Sequence, residues 1–478
     1  MAVPWTFSLL CGLLAATLAE ATLSPPAVLN LGPEVIKEKL TQKLEDHNVT
    51  TILQQLPLLS AMHDNSAWGV PLLGNLVNSI LKYIIWLRVT SASILQLQVQ
   101  PSPYYQEMMV RIPVNMVAGL NTPLIKTIVE FHMESEAHAL IRVEKSNSIP
   151  SRLVLSDCSS SDSSLRIRLL HRLSFLVNSL AKKIMNLLMP ALPQLVKTEL
   201  CPVIKAAFDD MFADFLRLAR AVPIPLSPGG LEFEPLSLII EENFIQLDLG
   251  AKVLDSKGRV TAKFNNSEMP LTVPALGNKA FCFAVRQDVV NAVVAALLPS
   301  EKLVIPLHYV LPDVARELKS SLEMISKQAA NRLDGTQIVK IVTQDVPYLD
   351  LTPPSTTAAQ QIVMDISASE KDLHPLFTVG IETKSKVQFY SEGDRLMFNF
   401  NGISSDRIQL MNSDIGIFNP ELLKNVITMI LTAELLPNQN SKLRTGIPVS
   451  IMKALGYETA SWSSAKDTLL LTPDSNFL

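Results

Sequence analysis

The stretch Val129-Glu130-Phe131-His132-Met133-Glu134-Ser135-Glu136-Ala137-His138-Ala139-Leu140-Ile141-Arg142-Val143-Glu144 decides the fold. Val129, Phe131, Met133, Ala137, Ala139, Ile141 and Val143 alternate with Glu130, His132, Glu134, Glu136, His138, Arg142 and Glu144, and Leu140 is the one apolar residue on the polar side. Successive strand side chains point to opposite faces, so this period of two predicts a single strand with one face buried and the other wet. Strands usually run about 3–10 residues. One extending over Ile128–Glu144 requires a strongly twisted sheet wrapped around its own core.

Neighbouring segments follow the same grammar. Met108, Val110, Ile112 and Val114 alternate with Glu107 and Arg111, and Leu95, Leu97 and Val99 alternate with Gln96, Gln98 and Gln100. Amphipathic helices bracket these strands. Pro33 suits a first helical turn and opens Glu34–Asp46, in which Ile36, Leu40 and Leu44 recur every four residues. Leu173, Leu176, Leu180, Ile184 and Leu187 predict a second helix that stops before Pro190, and a third runs from about Leu192 to Arg220.

Next comes Val222-Pro223-Ile224-Pro225-Leu226-Ser227-Pro228-Gly229-Gly230, which cannot continue a helix. It reads as an extended linker over 223–236, between an N-terminal domain of residues 22–222 and a C-terminal domain of residues 237–478. Beyond it the alternation resumes in Ile245, Leu247, Leu249, Ala251 and Val253, then in Val387 and Phe389 and in Leu396, Phe398 and Phe400. A helix from about Asp313 uses Val314, Leu318, Ile325 and Ala329. Leu176, Leu180, Ile184, Leu188 and Pro190 share their offsets with Leu423, Ile427, Leu431, Leu435 and Pro437, a shift of 247 residues that points to two copies of one unit.

Composition narrows the function. The chain has 478 residues, only 18% charged, with a mean hydropathy of +0.25. Its formal net charge of −4 excludes a strongly basic nucleic-acid binder. Part of the apolar excess is a leader: Trp5 to Leu18 is uncharged, and Ala19-Glu20-Ala21 is a small-x-small cleavage signature, so residues 1–21 read as a signal peptide. Cleavage there leaves 457 residues with 41 basic and 44 acidic side chains and three Cys. The other apolar runs, Asn65–Leu81, Ile184–Val196 and Val289–Ser300, are short or broken by Pro, Gly and Asn, which predicts no transmembrane segment and a secreted chain.

In an oxidising compartment two of the three remaining Cys should pair, and Cys158 and Cys201, 43 residues apart, are the better couple. Cys282, within Phe281-Cys282-Phe283, is expected to be a buried free thiol. Sequons at Asn48 and Asn265 lie in polar stretches where a glycan would face solvent.

Catalytic motifs are missing: there is no P-loop, G-x-G-x-x-G, G-x-S-x-G or H-E-x-x-H, and nothing in the sequence calls for a cofactor. His132, Glu134, Glu136 and His138 share one strand face, but that is the polar face of a half-buried strand, so a solvated surface is expected in place of a metal site. Two binding features stand out. The uncharged run over 69–81, with Leu72, Leu73, Leu76, Val77 and Ile80, either lines a lipid-accessible pocket or is a buried loop-to-helix segment; Leu180, Ile184 and Leu188 would share the same apolar lining. Arg166, Arg168, Arg172, Lys182 and Lys183 concentrate the basic excess of the N-terminal half, either as an anionic head-group site or as an ordinary solvated face.

The leader, the Gly/Leu segment before long alternating strands, the Cys158/Cys201 pair around a Ser-rich loop and amphipathic helix, and the Pro-rich stretch before a similar second half resemble the bactericidal/permeability-increasing protein family. That family includes lipopolysaccharide-binding protein and lipid-transfer plasma proteins. Val35–Leu40, Thr51–Ser60 and Ser404–Ser413 are similar to its long PLUNC members. The resemblance implies an α+β boomerang of two similar domains, each a highly curved antiparallel sheet wrapped against long amphipathic helices, joined by the linker and a shared central sheet. It also implies the disulfide Cys158–Cys201.

As partners it implies lipopolysaccharide and other amphipathic lipids held by their acyl chains, with peripheral contact at a bacterial outer membrane, in mucosal secretions. Phospholipid transfer, or a surface-active role in mucus and biofilm control, are the alternatives. Bactericidal members have a strongly cationic N-terminal half, whereas residues 22–222 carry 19 basic and 16 acidic side chains, which weakens the case for direct killing.

Overall fold

The structure is a computed structural model that describes residues 23–66, 82–104, 106–123, 128–144, 151–160, 165–170, 175–218, 222–223, 229–241, 243–255, 257–333, 337–369, 374–393, 395–457 and 459–474. It is α+β, and every strand pairing in it is antiparallel. Strand β1 is Ala27–Leu31. The N-terminal sheet follows with β2 (Trp86–Ile94), β3 (Gln98–Pro101), β4 (Glu107–Asn121), β5 (Val129–Glu144), β6 (Arg152–Ser160) and β7 (Arg166–Leu169). Then come β8 (Val222–Pro223), β9 (Gly230–Ile240), β10 (Ile245–Leu254), β11 (Val260–Phe264) and β12 (Phe281–Arg286). The C-terminal sheet holds β13 (Lys302–Pro306), β14 (Ile338–Thr343), β15 (Tyr348–Asp350), β16 (Thr357–Ser367), β17 (Phe377–Glu392), β18 (Arg395–Ser413) and β19 (Ile447–Pro448), and the chain closes with β20 (Ala460–Ala465) and β21 (Thr468–Pro473).

The alternating stretch is β5, sixteen residues long and paired with β4 from Glu107–Arg142 to Leu120–Val129. Its inner-row apolar residues from Val129 to Ile141 are buried, Leu140 on the outer row is half-buried, and Ser135, the polar member of the inner row, meets Ser160 Oγ at 3.2 Å. The long helix lies across this face. Its continuity corrects the expected break at Pro190, because Phe175–Leu195 runs through both Pro190 and Pro193. A proline leaves the carbonyl four residues back without a partner. Here those carbonyls belong to Asn186 and Met189, both exposed, where water can take them, while Ile184, Leu188, Ala191 and Leu192 keep the opposite side buried.

A π-turn over Val196–Leu200 leads into Cys201–Leu218, and Cys201 is bonded to Cys158 at the end of β6 with the Cα atoms 5.8 Å apart. The combined helix Val177–Arg217 is therefore long and apolar enough to cross a membrane by length and composition, although Ile184–Val196 within it reads as a short run broken by Pro. Its apolar stripe is instead spent on the core of the N-terminal sheet. Helix Pro33–Asp46 packs beside it, held by Lys43 Nζ to Asp214 Oδ2 at 2.7 Å and His47 Nε2 to Asp210 Oδ2 at 3.0 Å. The Asp214 carboxylate raises the Lys43 pKa above its ordinary value.

The second half repeats the first at the level of topology. The order β2-β4-β5-β6, with short β3 on β4, recurs as β14-β16-β17-β18, with short β15 on β16. Both sheets are then crossed by a helix carrying a π-turn, Val196–Leu200 in one copy and Leu431–Leu435 in the other. From Val196 to Leu431 the shift is 235 residues, so the helices do not match at the shift of 247 read from the apolar offsets. The first copy carries extra chain, the separate strand β7 and a longer helix, between β6 and the π-turn. In the C-terminal copy, the helix expected from Asp313 is two: Pro312–Glu323, and Lys327–Arg332 capped by Ser326.

The central sheet joins the halves in the order β20-β21-β12-β1-β10-β9-β8, with β11 on β10. The described part of the expected linker belongs to this sheet. Val222 and Pro223 pair with Leu231 and Gly230, and β9 continues from there. Gly32 turns β1 into helix Pro33–Asp46 and donates its N–H to Ala280 O at 2.8 Å; a Cβ there would stand 2.9 Å from that oxygen, so only glycine fits.

Candidate functional site: an apolar pocket over the central sheet

Strand periodicity builds the floor of a pocket. Leu29 of β1 faces Phe283 of β12, Val285 of β12 faces Leu469 of β21, and Leu249 of β10 continues the same layer. Phe233 of β9 closes on Phe283 edge to face, with ring centroids 5.5 Å apart. Helix Gln287–Leu297 forms one wall with Val289, Val290 and Val293, and the start of β18 (Leu396, Phe398) with Ile447, Val449 and Ile451 forms the other. Trp462 of β20 completes the lining. The enclosed cavity is about 80 Å³, it opens into a wider apolar cleft, and no lining residue carries a charge. Such a site cannot stabilise an ion or polarise a bond, but it can remove an alkyl chain from water.

The walls are fixed by polar contacts outside the pocket. Gln287 donates through Nε2 to Tyr348 Oη at 2.9 Å and accepts through Oε1 from Leu351 N at 2.8 Å, and Asn291 bonds both ways to the Leu349 backbone. Arg286, buried at the head of this helix, is held by Asp288 in a two-pronged pair, Nε to Oδ1 at 2.8 Å and Nη2 to Oδ2 at 2.7 Å. It also donates to Ser24 O at 2.9 Å and Asn265 O at 3.3 Å, tying the start of the described chain to the pocket wall.

On the opposite face of β12, Cys282 is buried with Leu276, Ala284 and Leu470, and burial pushes its thiol up to about 11. The group is thus a protonated, sequestered thiol at neutral pH. Ellman's reagent should leave Cys282 unlabelled in the native chain and titrate one thiol in urea; fast native labelling would contradict this placement.

The residues singled out in the sequence fall elsewhere. Leu72, Leu73, Leu76, Val77 and Ile80 lie outside the described residues, as does Arg172. Leu180, Ile184 and Leu188 line the long helix, with Ile184 and Leu188 fully buried in the N-terminal core. Arg166 and Arg168 are exposed on β7, in register with Glu134 and His132 of β5, and Lys182 and Lys183 are exposed on the helix. His132 meets Glu134 at 3.2 Å and His138 meets Glu136 at 3.5 Å, each half-buried. Among the described residues no group of three or more His, Cys, Asp or Glu is placed to hold a metal ion. Asn48 and Asn265 are both exposed.

The pocket itself was missed. Phe281–Arg286 is buried on both faces and shows no alternation, and the residues of β9 sit behind a Pro/Gly run. The usable signal was the alternation of Leu231 and Phe233 with Glu232 and Glu234.

The family models for the LBP / BPI / CETP N-terminal and C-terminal domains match residues 43–211 and 322–476. Human BPI fold-containing family B member 1 is 60% identical over 475 residues, covering 99% of this chain and 98% of the relative. The chain belongs to the LBP / BPI / CETP family. The mouse BPI fold-containing family B member 1 is 57% identical over the full length of both chains. Among solved structures, the crystal structure of lipopolysaccharide binding protein aligns over 94% of this chain and 99% of that one, with 12% identity and a TM-score of 0.47. Two family domains on one chain agree with the repeated sheet topology. The pocket lies where the second copy meets the central sheet of this LBP / BPI / CETP member.

Proposed function

We propose that this chain is a secreted lipid-binding member of the LBP / BPI / CETP family, acting in mucosal innate immunity, that binds bacterial lipopolysaccharide by its acyl chains and tempers host responses to it. The role is binding and not catalysis. The observation that carries this reading is the pocket over the central sheet, whose lining is apolar and uncharged throughout. Each methylene moved from water into such a space contributes about 0.8 kcal/mol. We therefore seat the acyl chain against Phe283, Val293 and Leu469, since Ile184 and Leu188 are already covered by side chains.

Exposed Arg166, Arg168, Lys182 and Lys183 are a candidate contact for anionic head groups. The Cys158–Cys201 bond fits an oxidising, extracellular setting, and the exposed Asn48 and Asn265 fit glycan acceptors. The test is binding of purified secreted chain to lipopolysaccharide micelles, run beside transfer of labelled phospholipid between vesicles. Saturable micelle binding with slow transfer is expected. Fast transfer with no micelle binding would make it a phospholipid-transfer protein, and lowered surface tension with neither would leave a surface-active protein.

A further inference from the structure

One residue that lines the pocket carries a polar group that the apolar walls do not explain. Trp462 of β20, one of the lining residues, has its indole Nε1 sealed from solvent with no acceptor among the described residues. Its ring sits in a layer whose other lining side chains, Phe398 and Leu469 among them, offer no oxygen or nitrogen. A buried donor left unpaired is costly, and a hydrocarbon ligand alone would leave it so. An acyl lipid differs from a hydrocarbon in carrying a carbonyl oxygen at the head of each chain, an acceptor of the kind an indole N–H, a pure donor, requires.

We propose that Trp462 is a specificity-determining residue of the pocket: its Nε1–H donates to the carbonyl oxygen of an ester- or amide-linked acyl chain, so that the site selects acylated lipids over ether-linked or hydrocarbon chains of equal length. This rests on the lipid-binding reading above and adds to it a position along the chain. The hydrocarbon occupies the Phe283–Val293 side, and the first carbonyl stops at Trp462. Lipopolysaccharide and diacyl phospholipids both present such carbonyls, so the same contact serves either source.

The test compares a diester phosphatidylcholine with its diether analogue of identical chains, bound to the full secreted chain and to Trp462→Phe, which keeps an aromatic ring and removes the donor. One neutral hydrogen bond contributes about a fivefold ratio in affinity. The wild type should therefore prefer the diester about fivefold, and Trp462→Phe should bind both equally. Equal binding by the wild type, or a preference that survives in Trp462→Phe, would overturn the inference while leaving lipid binding intact. Binding of neither lipid would instead remove the underlying reading and this one with it.

Should Trp462→Phe fail to fold, the wild type still answers. Its Trp462 indole N–H proton resonance should move downfield with the diester and not with the diether, and identical spectra would overturn the assignment. A free fatty acid, run as a third arm, separates carboxylate from ester recognition: binding tighter than the diester would overturn the ester or amide assignment, and weaker binding would support it.

Discussion

Replacing both Cys158 and Cys201 by Ala should cost the N-terminal unit about 4 kcal/mol, the loop-closure value for cysteines 43 residues apart. The bond does more than close a loop. It fastens the end of β6 to the first residue after the π-turn Val196–Leu200, where the long helix changes its hydrogen-bond register. Without it, the helix Cys201–Leu218 depends on its packing, including Phe208 and Met211, and on the Lys43–Asp214 pair, which is a partly exposed contact of small net value. Urea unfolding, with hydrogen exchange used to assign the transition to β4 and β5, measures the loss. A change below about 1 kcal/mol would show that the helix is held by packing alone.

The other large effect is expected at Asp288. Substituting Asn leaves Arg286, whose side chain is 2% exposed, with a full positive charge and only neutral acceptors, the Ser24 and Asn265 carbonyls and one amide oxygen, while the amide NH2 faces the guanidinium as a second donor. Removing one partner of a buried ion pair typically costs about 3–5 kcal/mol because the remaining charge is uncompensated. The loss should be concentrated in the central sheet, since Arg286 also donates its backbone N–H to Pro26 O and so pins β1 beside β12. Slowed exchange in β1 should disappear in Asp288→Asn while β16 and β17 stay protected. Uniform loss across both sheets, or a cost under about 1 kcal/mol, would contradict this role.

How much of this was readable from the residues alone depends on how many faces of each element are buried. β5 was legible because one face is wet, so Glu, His and Arg mark every second position. The disulfide was legible because only three Cys follow the expected leader. β12 was not, because both of its faces are covered and Phe281 to Arg286 reads as a plain apolar run. Pro190 and Pro193 hid the continuity of the long helix, since their cost is met on the exposed side, which a linear pattern does not reveal. Pro and Gly before Leu231 likewise hid a strand of the central sheet. The pocket combines eight strands, two helices and the segment at Val449, drawn from residues 29 to 469, and no local window contains it.

The most direct measurement is native mass spectrometry of the secreted chain, purified without added lipid, for the wild type and for Val293→Trp, which fills the pocket from the helix wall. A thermal melt confirms that the variant is folded. The wild type should carry a co-purifying acyl lipid near one per chain, released on organic extraction, and Val293→Trp should be empty. A lipid-free wild type, or a folded Val293→Trp carrying the same lipid at the same ratio, would contradict acyl-chain binding in this pocket.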